Sequence, residues 1–127
     1  MLPVTNYETY QDGQIIFEEG STGDMLYIID SGSVELTKTI EEKNIVIEIL
    51  KPGYIFGEVA FIARIPRTAT ARAIGETTIG IIDHVFLDNE FNKLSHHFQT
   101  IIQTLALRLQ KTTDALAKIK IDKYLSK

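Results

Sequence analysis

Between Tyr7 and Asp83 the chain is cut into short apolar runs by turn-forming residues at intervals of roughly 8 to 12 residues, a rhythm that points to an all-β sandwich or barrel. The runs are YETY, QIIFE, MLYIID, SVELTKT, NIVIEIL, YIF, TATARA and TTIGIID. Asp12-Gly13, Gly20 to Gly23, Ser31-Gly32, Pro52-Gly53 and Gly75-Glu76 lie between them, each with a residue that tolerates positive φ or presets a turn angle. Ser31-Gly32 separates two apolar runs by two residues and predicts a tight hairpin, and Pro52-Gly53 is the pair a type II turn needs. Eight short strands joined in this way predict a mainly β fold, an eight-stranded jelly roll (double-stranded β-helix) over about residues 7–83.

After Asp83 the period changes, and helices are expected over about residues 84–124. Asp83 can cap a short helix with Phe86 or Leu87, Phe91 and Leu94 on one side, and Ser95 can cap a longer one. In the second, Phe98, Ile102, Leu105, Leu109, Thr112, Leu116 and Ile119 recur at alternating spacings of four and three, a heptad seam whose weak position is Thr112. A helix over about 95–121 would be roughly 40 Å long, more than a compact domain of this size needs. Either the seam lies on the domain's own sheet, or only its first turns do and the rest pairs with a second copy. The second reading is favoured and predicts a homodimer through the Ser95–Ile119 helix.

At 127 residues the chain is expected to form a single domain, 1–127, with one core. No apolar run approaches the ~18 residues of a membrane span, and MLPVTNYETY lacks the parts of a signal peptide, so a cytoplasmic protein without a membrane partner is expected. The absence of cysteine excludes disulfides, thiol nucleophiles and cysteine-based zinc sites. Residues 1–94 carry 7 basic and 15 acidic groups, whereas residues 95–127 carry 6 and 2. Such an acidic body argues against nucleic-acid binding by this chain alone, because that binding rests on neutralising phosphates. The basic tail reads as a solvated helix face. Cupin-like metal chemistry would need clustered histidines, and His84, His96 and His97 fall outside the strands, so neither a metal nor an enzymatic activity is expected.

The segment FGEVAFIARIPRTATARA, Phe56 to Ala73, concentrates the chemistry. Gly57 lets the backbone approach a ligand, and Glu58 to Ile62 can form one helical turn whose free amides favour an anion. Arg67 follows Pro66, which stiffens the entry to the next strand; its planar guanidinium can grip two oxygens, with the Thr68 hydroxyl beside it. A carboxylate at Glu58 would repel an anion unless it accepts from a hydroxyl of the same ligand, and a ribose whose phosphate is closed into a ring meets that description. Ala69, Ala71 and Ala73 should face one way along the strand, with Thr68, Thr70 and Arg72 facing the other.

The segment closely resembles the phosphate-binding cassette of cyclic-nucleotide-binding domains, as found in kinase regulatory subunits, gated channels and the catabolite activator family. The pattern stands here as Phe56-Gly57-Glu58-Val59-Ala60-Phe61-Ile62, then Ala63-Arg64-Ile65, then Pro66-Arg67-Thr68-Ala69, departing only at Phe61, where leucine is usual. GQIIFEEGSTGDMLYIIDSGSVEL and LKPGYIFGE extend the resemblance to about residues 10–120. It implies a regulatory module that senses cyclic AMP (cAMP) or cyclic GMP (cGMP), a ligand and not a cofactor, and signals through its C-terminal helix. Glu58 would accept from the ribose 2′-hydroxyl, and Arg67 with Thr68 would hold the cyclic phosphate. The amides near Gly57, Val59 and Ala60 would complete a site flanked by Phe56 and Ala69. Thr68 permits a bond to the 2-amino group of a syn guanine, although catabolite-activator-like proteins with a hydroxyl here prefer cAMP. Thr104 and Arg108 are the lid residues expected to reach the base. Two departures stand out: only Met1 to Asn6 can serve as the usual leading helix, and no helix-turn-helix follows the long helix. The effector is then on another chain, or the sequence is an excised sensor of a transcription regulator. A jelly roll that keeps the fold without the ligand is the alternative.

Overall fold

Apolar alternation in the first two-thirds of the chain resolves into one antiparallel sheet in a computed structural model that describes residues 2–125. Met1, Ser126 and Lys127 of the expected domain lie outside the described residues. The elements are β1 (Asn6–Tyr10), β2 (Ile15–Phe17), β3 (Leu26–Ile40), β4 (Lys43–Leu50), β5 (Ile55–Phe56), α1 (Glu58–Ala63), β6 (Thr70–Ile82), α2 (His84–Asn92) and α3 (His96–Leu125). The sheet runs β1-β6-β3-β4, with β2 also on β6 and β5 on β3. Ile29, Val34, Leu50, Phe56, Ala71 and Ile79 form its buried core, flanked by Phe17, Tyr27 and Leu36.

The fold is the β-roll expected from the sequence, but among the described residues the strands number six and not eight. The runs on either side of Ser31-Gly32 form one strand, β3, and those around Gly75-Glu76 form one strand, β6. These two pair along nearly their whole length, and the register shifts between Ile29 and Ser31 and between Ser31 and Ser33. The expected hairpin at Ser31-Gly32 is therefore a bulged bend. Gly32 has φ 86°, and a Cβ there would lie 2.5 Å from Thr77 Oγ1 and 2.6 Å from the Glu76 carbonyl oxygen. A positive-φ glycine suits a turn and a bulge equally, so the two readings share one local signal. The fully buried Thr77 closes the bend by donating from Oγ1 to the Ser33 carbonyl at 3.0 Å. At Pro52-Gly53 the turn forms as expected, with Gly53 at φ 90° and the Tyr54 amide donating to the Lys51 carbonyl at 3.0 Å.

Both helix starts follow the sequence. Asp83 caps α2 by accepting from the Val85 amide at 3.3 Å, and Ser95 Oγ accepts from the Phe98 amide at 3.2 Å before α3. The packing of α3 does not follow it. Phe98 is 59% exposed, Leu105 56% and Ile119 63%, so much of the apolar seam faces outward even in the first turns, although Ile102 is half-buried. The face against the roll is instead built on Ala106, Ala117 and Ile121, all buried, with Gln110, Thr113 and Asp114 partly covered. Small alanines permit the close approach that larger seam residues would block. Among the described residues, no helix is long and apolar enough to cross a membrane.

Candidate functional site

The chain leaves β5 at the buried Phe56 and turns through Gly57, whose φ of 86° places it in the left-handed region, to start α1. An added Cβ at Gly57 would sit 2.7 Å from Arg67 Nη1 and 3.2 Å from the Met25 carbonyl oxygen, so the close approach and the backbone angle both require glycine here. After α1, Arg67 is anchored by its backbone to the loop that follows β2: its amide donates to the Ser21 carbonyl, and its carbonyl accepts from the Gly20 amide, both at 2.8 Å. From there Ala69, Ala71 and Ala73 are buried in the core while Thr68, Thr70 and Arg72 are half-buried on the other side, the alternation expected of the strand.

Arg67 is 4% exposed. Nη1 donates to the Gly57 carbonyl at 3.0 Å and Nη2 to the Met25 carbonyl at 3.1 Å. Its guanidinium carbon lies 4.4 Å from the centre of the Phe17 ring and 5.6 Å from that of Tyr27. On Gly23 an added Cβ would meet Nη2 at 2.7 Å and Nε at 2.8 Å, so this glycine gives the guanidinium its room. Nε is buried without a hydrogen-bond partner, and no carboxylate among the described residues reaches ion-pair distance of Arg67. A buried, always-protonated guanidinium without a counter-ion is costly and calls for an anion.

A cavity of about 210 Å³ collects Phe56, Gly57, Glu58, Val59, Ala60, Arg67, Thr68 and Ala69 on one wall. Glu58 is half-buried, and burial raises its carboxyl above the ordinary value of 4.5; Glu48 adds to the rise, while its own backbone amide and Arg67 oppose it. The site therefore places a hydroxyl acceptor, an anion-seeking cation and the amides at the start of α1 around one space. Thr104 and Arg108 are not on this wall. Both are exposed on α3, where the Thr104 hydroxyl donates to the Thr100 carbonyl at 2.8 Å. The helix presents Leu109, Gln110 and Thr113 to the cavity instead. Leu109 belongs to the heptad pattern, but that pattern conceals Gln110 and Thr113, because the strongest periodic signal lies on the apolar side of α3. Phe17, Tyr27 and Gly23 are equally hidden in the sequence: the first two read as core residues and the third as a turn residue. His84 lies 3.1 Å from Asp83 and 3.7 Å from Asp24, and no group of three or more potential metal ligands assembles among the described residues.

Fold and site together define a β-roll whose arginine and glutamate share one cavity beside a short helix. Residues 7–93 match the family model described as "Cyclic nucleotide-binding domain". The chain belongs to that family. It is 35% identical over 104 residues to a cGMP-dependent protein kinase of Eimeria tenella, covering 82% of this chain and 10% of the kinase. It is 31% identical over 108 residues to a CRP-like cAMP-activated global transcriptional regulator of Mycobacterium tuberculosis, covering 84% of this chain and 48% of the regulator. The chain thus spans half or less of the length of these relatives. Among solved structures, the cAMP-bound form of the EAL enzyme Bd1971 superposes with a TM-score of 0.80 at 30% identity, covering 94% of this chain and 33% of that one. Its cGMP-bound form gives 0.76 at 31%, covering 94% and 32%.

Proposed function

We propose that this chain is a regulatory module that binds cAMP or cGMP in the cavity beside α1 and signals through α3. The observation that carries the reading is Arg67: a buried cation with an unpartnered Nε–H, on the same wall as Glu58 and the start of α1. The cyclic phosphate docks against Arg67, Thr68 and the amides near Gly57, Val59 and Ala60. The Glu58 carboxylate accepts from the ribose 2′-hydroxyl. The base extends toward α3, where Gln110 and Thr113 take the part expected of Thr104 and Arg108. Relatives whose names carry cAMP and cGMP support both nucleotides as ligands.

The outward seam of α3 supports a homodimer, since an apolar stripe from Phe98 to Ile119 at heptad spacing matches a second copy of itself. Ligand then shifts the seat of α3 on the roll only as far as it binds one seat better than the other. Isothermal calorimetry with cAMP and cGMP tests the reading. Arg67→Ala should lose about 1.5–3 kcal/mol of binding, roughly tenfold to a hundredfold. Equal affinity of the wild type and the variant removes the site assignment.

A further inference from the structure

Lys38 lies inside β3 with only 8% of its surface exposed, an unusual place for a lysine. Its ammonium reaches three separate segments of the chain. It donates to the carbonyl oxygen of Thr68, lies 2.8 Å from Asp114 Oδ1 on α3, and lies 3.5 Å from Glu19 Oε2 in the turn after β2. Three oxygens thus face three N–H donors, the arrangement that makes a buried ammonium tolerable. Glu19 is itself fixed, accepting through Oε1 from the Thr39 amide at 2.9 Å, while its amide donates to Thr70 Oγ1 at 2.9 Å.

Two of these partners adjoin the cavity. Thr68 is on its wall beside Arg67, and Asp114 follows Thr113, which is on the opposing α3 wall. We propose that Lys38 is the positioning residue that ties the strand entry at Thr68 to α3 through Asp114, so that the grip on the ligand and the seat of the helix are set together. The role in ligand binding rests on the cyclic-nucleotide reading of the cavity. Lys38 is not among the residues that line the cavity and acts through its two neighbours. A shift of Thr68 toward a bound anion moves one end of this bridge, and the ion pair carries the displacement to the middle of α3. A second polar tie from α3 to the roll, Lys120 Nζ to the Val46 carbonyl at 2.8 Å, is exposed and remote from Thr68 in sequence.

The test combines hydrogen exchange on the ligand-free chain with titration of cAMP and cGMP. Lys38→Met and Asp114→Asn should each raise amide exchange across residues 109–117 by about tenfold and weaken nucleotide binding by about tenfold, the scale of a lost charge-assisted bond. The double variant should be no worse than the worse single one, because both remove the same contact. The Asp114 side chain is 43% exposed, so Asp114→Asn keeps the fold even where Lys38→Met does not, and it tests the link alone. Wild-type exchange together with wild-type affinity in Asp114→Asn overturns the proposal. A wild type that binds neither nucleotide removes the functional reading instead, and the ligand-free exchange then decides whether Lys38 holds α3.

Discussion

Arg67 donates from Nη1 to the carbonyl oxygen of Gly57 at 3.0 Å, fastening the buried cation to the residue that immediately precedes α1. The orientation of the guanidinium and the start of the helix are therefore one structural unit. Gly57→Ala attacks both, since its Cβ would collide with Nη1 and its φ of 86° is strained for alanine. The variant should lose about 1–3 kcal/mol of stability in urea melts and at least roughly tenfold in nucleotide affinity. Unchanged affinity would show that Arg67 does not depend on Gly57 for its placement.

Glu58 predicts opposite pH trends for stability and for binding. Burial raises its carboxyl, so the folded chain holds more protons than the unfolded chain between the ordinary value of 4.5 and the raised one. Its contribution to stability is present below that window and is lost as pH rises through the folded value. A carboxylate accepts from a ribose hydroxyl more strongly than the neutral acid does, so affinity should fall as pH drops through the same window. Glu58→Gln should flatten both profiles, as read by melts and titrations across pH. An affinity profile identical to that of the wild type would exclude Glu58 as the titrating acceptor.

The outward face of α3 predicts association. Leu105→Glu should leave the fold intact, because Leu105 is largely exposed, and should convert a dimer to a monomer in sedimentation equilibrium. A wild type that stays monomeric at high concentration would leave the stripe without its second copy.

The β3–β4 hairpin turns through Glu41 and Glu42, with φ of 51° and 65°. Two positive angles in a two-residue loop are the demand of a type I′ turn, for which an asparagine followed by a glycine is preferred. The paired substitutions Glu41→Asn and Glu42→Gly should stabilise the chain by about 1–2 kcal/mol in thermal melts, because each non-glycine residue in the left-handed region carries a cost. A lower melting temperature would contradict this reading of the turn.

The residues legible in the sequence act through local chemistry. Gly57, Glu58, Pro66 and Arg67 announce the site because each has a backbone or charge property that few positions need. The alternating alanines of β6 and the caps at Asp83 and Ser95 are readable for the same reason. What stays hidden depends on which element packs against which. Nothing in SVELTKT marks Lys38 as buried, because a lysine in an alternating strand normally points to solvent. The Glu41-Glu42 turn lacks every usual turn residue. On α3 the heptad residues offer the more obvious packing face, yet Ala106, Ala117 and Ile121 hold the helix to the roll, and Gln110 and Thr113 join Leu109 at the cavity.

The bulged bend at Gly32 separates the pairing of β3 and β6 into two independently phased zones. An extra residue gained or lost at the bend can be taken up there without turning Ala69, Ala71 and Ala73 inside out. The cavity draws on both zones, because Phe56 pairs with Tyr27 in one and Thr68 leads into β6 at the end of the other, so the bend fixes how the two halves of that cavity meet.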